Sequence, residues 1–185
     1  FSSFVILFIL SWLYPVLALV IKLNSKGPIL FKQMRSGKNN NDFKCLKFRT
    51  MHVNSEADHI QATKRDDRIT SLGLFLRKTS LDEMPQFFNV FYGHMSIVGP
   101  RPHMKKHTEE YAVTVDKYMF RHFVKPGITG LAQVKGLRGE TKSSLAMEHR
   151  IRLDTLYIEN WSLILDIKII VLTIINVFKG DEKAY

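Results

Sequence analysis

Two adjacent carboxylates, Asp82 and Glu83, follow closely on the cationic pair Arg77 and Lys78. Further on comes a stiff tetrapeptide, Gly99-Pro100-Arg101-Pro102, with one arginine held between two prolines. Acids beside cations are equipped for work at a phosphate. An aspartate can act as a nucleophile, a carboxylate can hold a hard metal ion, and a guanidinium fork grips phosphate oxygens two at a time. The same letters have a plainer reading, because Ser80-x-x-Glu83 is also a capping-box pattern. On spacing alone, capping is the commoner use of such a pair.

The elements that must position these groups can be read outward from them. Pro85 is tolerated only in a first turn, so a helix from about Glu83 to Phe91 with Asp82 as N-cap is expected. At the positive end of a helix dipole, beside two cations, Asp82 should then be depressed in pKa and ionised at neutral pH. Residues 29–35 and 43–49 alternate in polarity and should pair as strands around the polar turn Gly37 to Asp42. Lys47 and Arg49 would then share a face of the second strand as a phosphate-facing pair. A short amphipathic helix is expected over Ile69 to Arg77, helical pattern over 103–123, and a charged helix over 143–160. The glycine-rich block KPGITGLAQVKGLRG, 125–139, reads as loop and short strand.

Residues 1–21 carry no charge, and a span needs roughly 20 apolar residues, so a simple crossing and a helix that enters and turns back are both open. Pro15, near the middle, should kink this segment, with Ser11 offering its hydroxyl to a freed carbonyl. Lys22, Lys26, Lys32, Arg35, Lys38, Lys44, Lys47 and Arg49 follow, opposed only by Asp42, which marks the cytoplasmic side of a membrane segment. The apolar run 161–178 contains Asp166 and Lys168, which suits an interfacial helix better than a span, with a buried core helix as the alternative.

Composition narrows the classes. A chain of 185 residues with a net charge of +10 fits one domain with a basic surface, suited to nucleic acid, anionic lipid or a phosphorylated substrate. The uncharged apolar segments disfavour nucleic acid. A single cysteine, Cys45, excludes an internal disulfide, and no Cys/His cluster has zinc spacing. The Asp-x-Asp motif of metal-dependent Leloir glycosyltransferases is missing. The chain opens inside an apolar run without Met, as the C-terminal part of a longer chain would.

The stretch SLDEMPQFFNVFYGHMSIVGPRP closely resembles the signature of the bacterial polyprenyl-phosphate sugar-1-phosphate transferases, the monotopic phosphoglycosyl transferases. The likeness runs on through FKQMRSGKNN, LKFRTM, DDRITSLGLFLRKTSLDE, KPGITGLAQVKGLRGET and DTLYIENWSLILDIKII, in the family's order. It implies an α+β fold, mostly helical with a small β-hairpin or sheet. A re-entrant broken helix over 1–23 would precede a catalytic domain over 24–185 on the cytoplasmic face of the bacterial inner membrane. Tyr14-Pro15 stands where small members of the family have Ser-Pro.

The resemblance also implies chemistry. Asp82 matches the family nucleophile, and Glu83 would hold Mg2+ with it or handle a proton. Lys47, Arg49, Arg77 and Arg101 would bind substrate phosphate, and Asp67, Arg68, Pro100, Pro102 and Asp154 match other family positions. The reaction would move hexose-1-phosphate from a UDP-sugar to undecaprenyl phosphate, releasing UMP, at the start of exopolysaccharide, capsule or O-antigen synthesis. The segment 136–158 is closer to the glucose-1-phosphate members, with Arg138, Glu140 and Thr141 as candidate sugar contacts. Membrane lipids are expected partners, nucleic acid is not, and a homodimer is allowed. The alternatives are UDP-galactose or a UDP-N-acetylhexosamine as donor, or a non-catalytic membrane scaffold that binds polyprenyl phosphate.

Overall fold

The computed structural model describes residue 8 and residues 11–54, 62–63, 66–139 and 144–179. It is mostly helical with two small two-stranded sheets, as the α+β reading expects. Residues 1–7, 9 and 10, the first part of the predicted apolar entry segment, lie outside the described residues. Its later part forms α1, Leu13–Asn24. Pro15 does not kink this helix, because it falls in the first turn, where a missing N–H leaves nothing unpaired. The chain turns just before it instead, and there the Ser11 hydroxyl donates to the Phe8 carbonyl at 2.7 Å. One face of α1 buries Leu17 and Ile21 against Phe48 and Leu76, while Trp12, Val16, Leu19 and Leu23 stay exposed. Tyr14 fastens the helix to the site-bearing segment: its ring meets Phe48 and Phe88, and its hydroxyl donates to the Met84 carbonyl at 2.8 Å.

The hairpin forms as the alternation predicts, with β1 (Leu30–Ser36) antiparallel to β2 (Asp42–Phe48). Its tight turn places Asn39 and Asn40 at φ of 54° and 58°, a region that asparagine tolerates better than most residues. After the loop Asp66–Arg68 the chain enters α2, Ser71–Lys78, capped by the Thr70 hydroxyl, which accepts from the Gly73 N–H at 2.9 Å. A Cβ at Gly73 would stand 1.9 Å from the Thr50 carbonyl oxygen, so only glycine lets α2 lie against the end of the hairpin. That close approach brings Arg77 to the Thr50 hydroxyl, to which its Nε donates at 2.8 Å.

The expected helix from Glu83 with Asp82 as its cap does not form. Ser80, at φ 58°, reverses the chain after α2, and Leu81–Glu83 closes as one 3-10 turn. Pro85 cannot donate a backbone bond, so the chain restarts as a separate α3, Gln86–Phe91, with Pro85 as its N-cap. Both carboxylates therefore stand on a tight turn between two helices and not at a helix start.

β3 (Ser96–Val98) runs parallel to β4 (Gly127–Thr129), an arrangement that requires a crossover. The crossover carries α4, Lys105–Thr114, and a 3-10 turn, Tyr118–Phe123, so the helical pattern over 103–123 breaks in the middle. A Cβ on Gly127 would come within 2.2 Å of the Gly99 nitrogen, so the two backbones pack directly. The Gly127 N–H donates to the Pro100 carbonyl at 2.9 Å, fixing the Pro-Arg-Pro segment to the sheet. The glycine-rich block also contains a short helix the sequence reading did not expect, α5, Leu131–Val134.

α6, Ser144–Glu159, buries the stripe Met147, Arg150, Ile151, Asp154 and Tyr157, at the spacing of one helix face. α7, Leu163–Lys179, buries only Ile169 fully, and Leu163, Ile164, Ile167, Val171, Ile174 and Phe178 are exposed. Asp166 finds its partners locally, accepting from the Tyr157 hydroxyl at 2.8 Å and from the Trp161 indole at 3.2 Å. Among the described residues no helix is long and apolar enough to cross a membrane.

Candidate active site

A cavity of about 510 Å³ opens between the hairpin, the end of α2, the 3-10 turn and the Pro-Arg-Pro segment. Glu83 stands at the focus of its charges. Lys47 Nζ lies 2.7 Å from Glu83 Oε1, Arg101 lies 2.6 Å from the same oxygen, and Arg138 lies 3.5 Å from Oε2. Asp82 is equally buried but far less engaged. Among the described residues its nearest cation is Lys47, at 3.9 Å. Lys47, Arg77, Arg101 and Arg138 thus line the cavity around the two carboxylates, and Lys32, Arg35, Arg49 and Arg150 lie elsewhere on its wall. The surplus of positive charge is what a diphosphate needs.

The two neighbouring acids are driven apart in pKa. Burial pushes Asp82 up, with the charge of Glu83 adding to it, and Lys47 and Arg77 offset only part. This overturns the expectation of a depressed Asp82, which assumed a helix dipole that the 3-10 turn does not supply. Burial would raise Glu83 as well, but Arg101, Lys47 and Arg138 together overcome it and hold Glu83 well below the usual carboxylate range. Arg101 is raised in turn: its burial is outweighed by the carboxylate of Glu83. Glu83 is therefore fixed as an anion and a poor proton acceptor.

Behind the cavity a second set of charges braces the first. Asp154 is buried and pairs with Arg121 at 2.9 Å. Arg121 donates to the Arg101 carbonyl at 2.5 Å and approaches His103 Nδ1 at the same distance, and the Tyr118 hydroxyl meets that nitrogen at 2.7 Å. Guanidinium groups only donate, so Nδ1 accepts and a neutral His103 carries its proton on Nε2. Burial first, then Arg121 and Arg150, keep this histidine far below its ordinary pKa. Asp154 accordingly acts on the backbone of Arg101 through Arg121 and lies outside the cavity wall.

The structure brings Asp82, Glu83, Lys47, Arg77 and Arg101 around one cavity. Arg49 also reaches its wall, but it does not form a phosphate-facing pair with Lys47. It lies one residue past β2, and its guanidinium donates to the carbonyls of Ser25 and Lys26, at 2.7 and 2.5 Å, closing the C-terminal end of α1. Pro102 lines the cavity, and its carbonyl accepts from Arg35 at 2.8 Å. Pro100 stands behind it, on β4. Asp67 is exposed and Arg68 forks onto Asp66 at 2.8 and 2.7 Å, so neither lines the main cavity. Glu140 and Thr141 lie outside the described residues.

Several charged and imidazole groups on the cavity wall lie outside the site residues expected from the sequence, among them Lys32, Arg35, His103, His107, Arg138 and Arg150. The sequence offers Arg138 only as a sugar contact and Arg150 only as part of a charged helix. His103 directly follows Pro102, which is the one signal that could have flagged it.

A hard divalent ion such as Mg2+ typically takes one or two carboxylates and leaves its other positions to water and substrate phosphate. Among the described residues no group of three or more His, Cys, Asp or Glu is arranged for a metal. The donor set here nevertheless suits an ion that completes its shell with substrate. Asp82 has lone pairs free of any close cation, and its burial penalty would be relieved by a positive ion beside it.

The sequence profile of the family described as "Bacterial sugar transferase" matches residues 1–180. The chain is 54% identical over 186 residues to the UDP-glucose:undecaprenyl-phosphate glucose-1-phosphate transferase of Klebsiella pneumoniae, covering 99% of this chain and 39% of that protein. It is 51% identical over 184 residues to the protein of the same name from Escherichia coli K12, covering 97% of this chain and 39% of the other. The exopolysaccharide production protein PSS of Rhizobium leguminosarum bv. phaseoli is 44% identical over 181 residues, covering 95% of this chain and 90% of its own length. This chain thus spans about two fifths of the first two relatives.

Proposed function

Because this chain belongs to the bacterial sugar transferase family, we propose that it moves glucose-1-phosphate from UDP-glucose to undecaprenyl phosphate and releases UMP. The observation that carries this reading is the unequal pair. A buried aspartate that among the described residues meets only Lys47, at 3.9 Å, stands beside a glutamate locked by Lys47, Arg101 and Arg138, in a cavity with surplus positive charge. The relatives' names supply the donor and acceptor.

In the proposed mechanism, Asp82 attacks the sugar-bearing phosphorus of the donor. An aspartyl–phosphorus bond forms as the bond to the bridging oxygen breaks, and UMP leaves with that electron pair. An oxygen of undecaprenyl phosphate then attacks the same phosphorus, and the Asp82 carboxylate departs unchanged. Lys47, Arg77, Arg101 and Arg138 neutralise the diphosphate, and Glu83 holds three of these cations in register. Asp82 and Glu83 would hold Mg2+, which when bound adds charge neutralisation at the phosphoryl oxygens. Arg49 and Tyr14 tie the membrane-side helix α1 to the site, and Asp154 braces Arg101 through Arg121.

The test is UMP release from UDP-sugars with added undecaprenyl phosphate and Mg2+. UDP-glucose should turn over fastest and UDP-galactose more slowly, because the wrong epimer leaves buried polar groups unpaired. Faster turnover with UDP-galactose or a UDP-N-acetylhexosamine defeats the donor assignment alone. Absence of UMP release from every UDP-sugar defeats the transferase assignment and favours the scaffold.

The proposed setting is the cytoplasmic face of the bacterial inner membrane. Residues 1–23 dip into one leaflet and return, and the apolar outer face of α7 rests in the interface. Tags placed before Phe1 and after Tyr185 should then both be reached from the cytoplasm. A periplasmic N-terminal tag on this chain would restore a simple span.

A further inference from the structure

The cavity continues along β1 beyond the two carboxylates. Cross-strand register sets Phe31 opposite Lys47, the lysine that clamps Glu83, and sets Arg35 opposite Phe43. At about 3.3 Å per residue, four strand positions carry the wall about 13 Å from the level of Glu83. The two ends of this wall meet different elements. Toward α1 the lining mixes Pro28, Leu30, Phe48 and Val53 with Arg49, Thr50, His52 and Asn54. Toward α4 it is Gln33, Arg35, His103, His107 and Arg150.

We propose that the α4 end of the cavity is the nucleoside subsite, and that His107 contacts the uridine of the donor. This inference rests on the transferase reading and adds the direction in which the donor lies. A diphosphate held by Lys47, Arg101 and Arg138 leaves its ribose and base to extend in one direction or the other. The α1 end adjoins the helix proposed to sit in the membrane, the side from which the lipid acceptor must arrive. The α4 end offers amide, guanidinium and imidazole groups. Uracil is neutral and presents both an N–H and carbonyl oxygens, which suits a neutral imidazole that donates from one nitrogen and accepts at the other. Burial, with Arg35 next, lowers the His107 pKa and keeps the ring neutral. Among the described residues His107 makes a ring contact with Tyr111, at 6.1 Å between centroids, and its ring nitrogens have no hydrogen-bond partner. Its polar atoms are thus free for a ligand.

Titration calorimetry of UMP into the full chain with Mg2+ tests this without requiring turnover. His107→Ala should weaken UMP binding about tenfold, and His107→Gln, which keeps a donor and an acceptor, should recover part of the loss. The KM for undecaprenyl phosphate should stay as in the unaltered protein, and so should the unfolding midpoint, since His107 is half-buried on a helix surface where alanine is well accepted. Unchanged UMP affinity in His107→Ala, or a rise confined to the acceptor KM, overturns the subsite. Failure of the unaltered protein to bind UMP at all would overturn the transferase reading with it, so the two failures are distinct.

Discussion

Asp82→Asn is expected to reduce turnover by about 10⁴-fold or more while leaving the folded protein more stable at neutral pH. Loss of activity follows if Asp82 forms the bond to phosphorus, because an amide is not a usable nucleophile there. The gain in stability follows from the direction of its pKa. Asp82 is raised in the folded state, chiefly by burial. A raised acid stabilises the fold at low pH, and that contribution is lost as pH rises from its ordinary value of 3.8 through the folded one. At neutral pH the charged form is a burden that asparagine removes. Chemical denaturation of both proteins at pH 7 measures the difference. A destabilised, inactive variant would mean that Asp82 mainly holds the turn together.

The neighbouring residue should respond in the opposite sense. Glu83→Gln is expected to destabilise the protein by about 3–5 kcal/mol, the range for removing one partner of a buried ion pair. Lys47, Arg101 and Arg138 would lose their shared anion and repel one another. The pH dependence is also reversed. Glu83 is held below its ordinary value of 4.5, so its contribution is present above that pH and is lost as pH falls toward the depressed folded value. Denaturation curves of the unaltered and variant proteins should therefore converge as pH falls below about 4.5. A neutral effect of Glu83→Gln on stability at pH 7 would show that the three cations do not depend on it.

These opposed expectations arise from structure that the sequence conveys unevenly. The hairpin is legible because alternation over seven-residue strands and a polar Asn-rich turn are local signals. The helices α2 and α6 are legible for the same reason. The turn that carries Asp82 and Glu83 is not: it depends on one left-handed serine, Ser80, which helix-cap reasoning takes for a capping residue. The parallel pairing of β3 and β4 is three residues long on each side and depends on two glycines meeting across about thirty residues of chain. Arg49 reads as a phosphate ligand until its partners are known to be the carbonyls that end α1. Arg121, His103 and Asp154 form their network across three separate elements, and no spacing rule links them.

The unequal roles of Asp82 and Glu83 can be measured directly by mass spectrometry of the protein after brief exposure to UDP-glucose and Mg2+ without lipid acceptor. One added hexose-phosphoryl group is expected, located by fragmentation on Asp82, absent from Asp82→Asn and discharged when undecaprenyl phosphate is added. An adduct on any other residue, or UMP release that requires the acceptor and passes through no adduct, would contradict the nucleophilic role of Asp82.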